Sequence, residues 1–227
     1  VDHLKANRVA KVLDLGCCFG HDARQLLKDG VQPTQIVACD LLPELLDLGF
    51  KMFGDEKDKG HLRGLTWDKV DVFNQQDIEK IKVPDGYHAI YIGSFIHLFP
   101  LEYQKKVVIA LDQLLSQEKG SKVWGRQTGT EQGQAGPRQR VVKGSRGPVG
   151  IPENEDGTRE SAYCHDVDTL KNLFEEQGSG SWDAKVLRYD LKSEKGGDMM
   201  WKGDGEVMID AASADATKRL TFVVTRR

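Results

Sequence analysis

Val12 to Gly20 reads Val-Leu-Asp-Leu-Gly-Cys-Cys-Phe-Gly, an apolar strand running straight into a glycine-bracketed turn, and it restricts the possible folds more than any other stretch. Val12, Leu13 and Leu15 supply a buried strand. Gly16 and Gly20 let the backbone turn tightly and approach a ligand where a Cβ would collide. The helix expected next, Asp22 to Asp29, points its amide end at the same place. A second apolar run ends at Asp40, about twenty residues after Gly20, where a carboxylate accepts from both hydroxyls of a ribose. Two such strand ends outline a nucleoside pocket at the edge of an α/β sheet.

The wording of the turn separates two kinds of nucleoside. Dinucleotide folds want Gly-x-Gly-x-x-Gly, whose second glycine makes room for a pyrophosphate; that position is Cys18. Asp14 would add negative charge beside a diphosphate, but it suits the sulfonium and ammonium groups of S-adenosylmethionine. The nonapeptide resembles the first motif of class I S-adenosylmethionine-dependent methyltransferases: acid, any residue, Gly, any residue, Gly or a small residue, any residue, Gly. Cys18 stands where that family usually has Gly, which leaves room for a tighter or shifted turn. The resemblance implies a Rossmann-like α/β sandwich: a mostly parallel seven-stranded sheet ending in an antiparallel hairpin, with helices on both faces. It implies a cofactor set of Asp14, Gly16, Cys17, Gly20, Asp40, Leu41, Asp71, Val72 and Ser94. Asp71 would bond the adenine amino group and the Val72 amide a ring nitrogen. An ordinary strand-to-helix turn is the bland alternative for the glycines, and a turn cap is the bland alternative for Asp71 and Asp40.

The chain has 227 residues, enough for one full α/β domain spanning 1–227 and too few for two. A formal net charge of -3 gives no electrostatic case for nucleic acid or an anionic membrane. A small-molecule substrate is the favoured partner, and nothing fixes an oligomeric state. Four cysteines at positions 17, 18, 39 and 164 match neither a disulfide framework nor a metal-ligand spacing, so no metal is called for. No run of about 18 apolar residues and no charged-then-apolar leader is present, and a cytoplasmic address is expected. The chain opens at Val1 and reaches its first strand at Val12, so an abbreviated or trimmed form, short of the covering helices common in the resembled class, is expected.

Strand and helix signals alternate as an α/β chain requires. Gln35 to Asp40 is a strand, and Pro43 opens a helix through Phe53. Leu65 to Phe73 holds a third strand ending near Asp71. Tyr87 to Phe95 reads as a central strand buried on both faces. Pro100 begins a long helix with Tyr103, Val107, Val108, Leu111, Leu114 and Leu115 on one face. Lys122 to Gln127 is a fifth strand, and Asp166 to Gln177 a helix capped by Asp166 and Gly178. Trp182 to Leu191 and Leu220 to Thr225 should form the antiparallel hairpin. Two stretches lack periodicity. Thr128 to Glu160 follows the fifth strand and is expected to be a substrate lid or a solvated insertion, its Arg138, Arg140, Lys143 and Arg146 a solvated face. Ser193 to Thr217 is an insertion in the hairpin, where Met199, Met200 and Trp201 would serve plain packing.

Further text narrows the branch. Gly93-Ser94-Phe95-Ile96-His97-Leu98-Phe99-Pro100, Leu48-Gly49-Phe50, Gly125-Arg126-Gln127 and His165-Asp166 together resemble fungal natural-product methyltransferases, including carboxyl O-methyltransferases that esterify meroterpenoid intermediates. The resemblance runs from Val12 to about Gly178. Phe95, His97, Phe99, Gln127 and His165 are then the expected acceptor wall, and Tyr91 and Trp124 further apolar lining. His97 would orient a carboxylate acceptor, already ionised at neutral pH, or act as base toward a phenol with a pKa near 10; a histidine satisfying backbone carbonyls is the bland alternative. Two other functions stay open: an NAD-linked oxidoreductase, and a cofactor-binding regulatory partner without turnover.

Overall fold

The computed structural model describes residues 1–137, 160–178, 181–189 and 218–227. Residues 138–159 of the expected lid, and the whole insertion of 193–217, lie outside these residues.

Each βα unit follows from local chemistry. Strand β1 (Val12–Leu15) is wholly buried, and helix α2 (His21–Lys28) starts directly after the glycine turn. A short helix α1 (Asp2–Ala6) precedes them. Strand β2 (Ile36–Asp40) leads into α3 (Pro43–Phe53), whose proline sits in the first turn and whose C-cap, Gly54, has a left-handed φ of 66°. Strand β3 is Thr66–Lys69, shorter than expected, so Asp71 belongs to the turn before α4 (Gln75–Ile81). Strand β4 (Ala89–Gly93) runs through a 3-10 turn at Ile96–Leu98 into α5 (Leu101–Leu114). Strand β5 (Lys122–Gly129) carries Thr128 and Gly129 beyond the expected end. The stretch after it is not wholly irregular, because β6 (Gly136–Pro137) pairs with β7 (Tyr163–Cys164). Asp166 caps α6 (Val167–Gln177) by accepting from Thr169 N–H. Gly178 ends α6 at φ -84°, so its need is space: a Cβ there would stand 2.5 Å from the Trp182 ring. Strands β8 (Trp182–Tyr189) and β9 (Lys218–Arg226) pair antiparallel.

The sheet runs β3-β2-β1-β4-β5-β9-β8, with the first five strands parallel and β9 antiparallel to β5. One face, carrying Leu13, Ile90, Ile92, Val123 and Phe222, is covered by Ile78 of α4, Val107 and Leu111 of α5, and Leu170 and Phe174 of α6. Each such side chain, fully buried, contributes about 1.5–3 kcal/mol. On the other face Val12, Ile36, Ala38 and Trp67 are covered by Ala23 of α2 and Leu46 of α3. That cover thins beyond β1, where Ala89 of β4 and Trp124 of β5 are only partly buried against it. Burial of β4 on both faces, expected from its apolar run, is therefore corrected: Tyr91 and Trp124 are half-buried, and Val223 and Leu187 are 40% and 60% exposed.

Candidate active site

Beyond β1 the chain makes a cradle from three left-handed residues, Gly16, Cys18 and Gly20, at φ 74°, 53° and 70°. The Gly16 and Cys17 amides both donate to the Cys39 carbonyl on β2, at 2.8 and 3.0 Å. Cys18 adopts a glycine-like conformation despite its Cβ, at a cost of about 1–2 kcal/mol. The Cys18 amide donates to Asp40 Oδ2 at 2.8 Å, and the Leu42 amide to Oδ1 at 3.0 Å. This fixes the Asp40 carboxylate at the tip of β2. A Cβ on Gly16 would lie 2.5 Å from the Phe95 ring, so glycine is what lets the cradle meet the loop after β4.

A cavity of about 450 Å³ opens along these strand ends, within the range of small-molecule and cofactor sites. Asp40 and Leu41 line it from β2, Asp71 and Val72 from the turn after β3, and Ser94, Phe95 and Phe99 from the segment after β4. Ser94 has a left-handed φ of 55°, which swings the chain off β4 into the 3-10 turn. Asp71 bonds its own turn, its Oδ1 accepting from Phe73 N–H, while its amide donates to Asp77 Oδ2. Phe73, Phe95 and Phe99 meet edge to face at 5.1 and 5.2 Å, forming one aromatic wall.

Gly16, Cys17 and Tyr91 also line the cavity, whereas Trp124 and five other expected residues do not. Asp14 is buried, with its Oδ2 lacking a hydrogen-bond partner among the described residues. Burial, then the charge of Asp22, pushes it up to about 8, so the acid expected to be a counter-charge is largely neutral at pH 7. Gly20 is the N-cap of α2, pressed against the Trp67 ring. His97 is buried in the 3-10 turn, outside the lining. Gln127 faces the helix-covered side of β5. His165 bonds Gln104 Oε1 at 2.8 Å through Nε2, and Gln104 Nε2 donates to the Phe99 and Tyr163 carbonyls. Burial holds His165 down to about 4; it is a neutral donor that locks the Phe99 segment to the strand before α6.

Lining residues that the sequence did not single out as sites include Cys18, His21, Asp22 and Arg126. His21 and Asp22 open α2 beside the cradle, and their side chains pair at 2.9 Å. That hydrogen bond, the largest influence on His21, raises its pKa. Burial raises the Cys17 and Cys39 thiols far above their ordinary range, which makes them inert apolar packing rather than nucleophiles. Among the described residues no group of His, Cys, Asp and Glu is arranged to hold a metal, and no helix is long and apolar enough to cross a membrane.

Solved methyltransferase structures superpose on nearly the whole of the chain. The methyltransferase domain of bacterial CtHen1 superposes with a TM-score of 0.58 at 14% identity, over 100% of this chain and 94% of that one. A S-adenosylmethionine-dependent methyltransferase from Anabaena variabilis gives 0.57 at 15%, over 97% and 79%. Magnesium protoporphyrin IX methyltransferase from Synechocystis, solved with bound S-adenosylmethionine, gives 0.53 at 10%, over 96% and 70%. The chain therefore has the class I methyltransferase fold. More particularly, it is a relative of fungal methyltransferases. It is 32% identical to the O-methyltransferase atr3 of Stereocaulon alpinum over 95% of this chain and 53% of that protein. It is 30% identical to the methyltransferase trt5 of Aspergillus terreus over 73% and 52%. The O-methyltransferase phiE of a fungal species shares 29% over 79% and 54%. The chain thus spans about half the length of these relatives. No protein-family model matches it.

Proposed function

We propose that the chain is the cofactor-binding methyltransferase domain of a fungal enzyme that O-methylates a small hydrophobic acceptor, with a carboxyl group as the methylated function. The observation that carries the reading is the Asp40 carboxylate. Each of its oxygens accepts one backbone N–H, which uses about half of its lone-pair capacity. The remainder is held toward the cavity at the position that suits a ribose diol. The Gly16 approach and the apolar segments Leu41–Leu42 and Val70–Val72 suit an adenosine beside it. Likeness to the fungal O-methyltransferases atr3 and phiE supports the O-methyl outcome.

When bound, S-adenosylmethionine supplies an electrophilic methyl group on a sulfonium, attacked in line by the acceptor. Positioning supplies most of the acceleration, up to about 7–11 kcal/mol, and the residues suited to it are Phe95, Leu98 and Phe99, which wall the cavity. A carboxylate with a pKa near 4 needs no base, so His97 is assigned the work of holding the 3-10 turn in place. Calorimetry with S-adenosylhomocysteine tests the reading. Micromolar affinity is expected, weakened about tenfold or more in Asp40→Ala; binding of NAD and not of the adenosyl thioether overturns it. Turnover is read as a gain of one methylene mass on hydrophobic carboxylic acids. His97→Asn should change that turnover less than Asp40→Ala does.

A further inference from the structure

We infer that Arg126 and the Tyr91 hydroxyl form a carboxylate-binding site in the wall of the cavity; the inference rests on the methyltransferase reading above. Arg126 stands opposite Gly93 in the β4–β5 register, and both line the cavity. A Cβ on Gly93 would meet the Tyr91 hydroxyl at 2.6 Å, so the phenol folds over Gly93 toward the neighbouring strand. It and Arg126 both line the cavity, close enough for Arg126 to oppose the upward push of burial on the phenol. A guanidinium has donors only, and the phenol hydroxyl can donate its proton beside it. Burial keeps that proton on, raising Tyr91 to about 12. The two side chains together present donors alone.

Charge makes the same demand. Arg126 stays protonated in any protein environment, and its Nε is buried without a hydrogen-bond partner. Among the described residues no carboxylate forms an ion pair with it. Arg219, opposite Thr128 in the β5–β9 register, is held below its ordinary range by burial and then by Arg126. A guanidinium with its Nε buried and unbonded is costly, and a planar carboxylate matches its fork. The cavity's other ionisable groups, Asp22, Asp40, Asp71 and His21, surround this positive corner with carboxylates and one imidazole. A ligand with a single carboxylate would therefore be held at Arg126 and repelled elsewhere.

Two sources carry that chemistry: the amino-acid tail of the cofactor and an acid acceptor. Titrating the chain with S-adenosylhomocysteine and with its decarboxylated amine analogue reads the first. Titrating the S-adenosylhomocysteine-loaded chain with 2-naphthoate and with methyl 2-naphthoate reads the second. Wild type should prefer the carboxylate about tenfold or more in one arm, and Arg126→Gln should bring that preference close to one. Tyr91→Phe, which removes only the hydroxyl, should reduce it severalfold and guards against a folding defect in the arginine variant. The arm that responds names the source. Absence of a preference in wild type in both arms, or one that Arg126→Gln leaves unchanged, overturns the inference. S-adenosylhomocysteine binding would still stand in that case; its loss in wild type would sink the methyltransferase reading instead.

Discussion

Asp14 and His165 are both buried titratable side chains, and burial favours the neutral form of each, which gives them opposite pH signatures. Asp14 rises from 3.8 to about 8, with Asp22 and Asp40 adding to burial and His21 opposing it. Between about pH 4 and 8 the folded chain holds a proton that the unfolded chain has lost, so stability declines as pH rises through that window. His165 falls from 6.5 to about 4; there the unfolded chain binds the proton first, so stability declines as pH falls. Each slope is at most about 1.4 kcal/mol per pH unit, and the two offset one another below pH 6.5. From pH 6.5 to about 8 the Asp14 signature runs in the same direction as that of His21, whose pKa is raised by its bond to Asp22, so the comparison with an Asp14 variant is what isolates it. Urea unfolding across that range should show wild type losing stability relative to Asp14→Asn; parallel curves would mean that Asp14 is ionised throughout. Cys18 offers a second test. Its left-handed φ of 53° makes Cys18→Gly neutral or up to about 1 kcal/mol stabilising, the relieved strain exceeding the added chain entropy. That gain would appear as about 2–4 °C in Tm; a clear drop would contradict strain at this position. Residue identity was legible at Asp40 and Gly16, but not which way a side chain faces. On β5 the period of two sends Gln127 to the helix-covered side and Arg126 to the cavity, and a shift of one residue in reading the strand exchanges them.

Helices α2 and α3 are held to the cradle by one side chain. Arg24 donates to both oxygens of Asp55 at 2.7 Å and, through Nη1, to the Phe19 and Gly20 carbonyls of the turn. Its guanidinium also lies 5.3, 4.5 and 5.0 Å from the Phe50, Phe53 and Trp67 ring centroids. Both partners of the ion pair are about nine-tenths buried, so Arg24→Ala should cost about 3–5 kcal/mol. Arg24→Lys should recover only part of this, since an ammonium cannot reproduce the planar fork. Chemical denaturation measures both, and a loss under about 0.5 kcal/mol, the size of ordinary surface changes, would remove Arg24 from this role. At this scale the sequence is most readable where caps are strong. Pro43 and Gly54 bracket α3, and Asp166 with Thr169 opens α6. Helix α1 and the β6–β7 ribbon carry no such signal, because five residues and two-residue strands show no periodicity. The ribbon is instead placed by Tyr163 N–H donating to the Phe99 carbonyl, far away in sequence.

At the scale of the molecule, the site depends on two βα units meeting backbone to backbone. A Cβ on Gly49 of α3 would stand 2.2 Å from the Phe19 carbonyl oxygen of the turn, so Gly49→Ala forces the helix and the cradle apart. Overpacking of this kind costs about 1–3 kcal/mol or more. Stability and S-adenosylhomocysteine affinity should fall together; a stability loss with unchanged affinity would show that the cradle is independent of α3. The sequence by itself determined the strand–helix alternation, the glycine cradle and the acid at the tip of β2, because each is written in short-range periodicity and backbone conformational need. Tertiary structure alone decided that Asp14 is buried away from the cavity, that His97, Gln127 and His165 stand outside it, and that Arg126 and Tyr91 both face it beside Gly93. These are outcomes of strand parity and long-range burial, and no local run of residues encodes them.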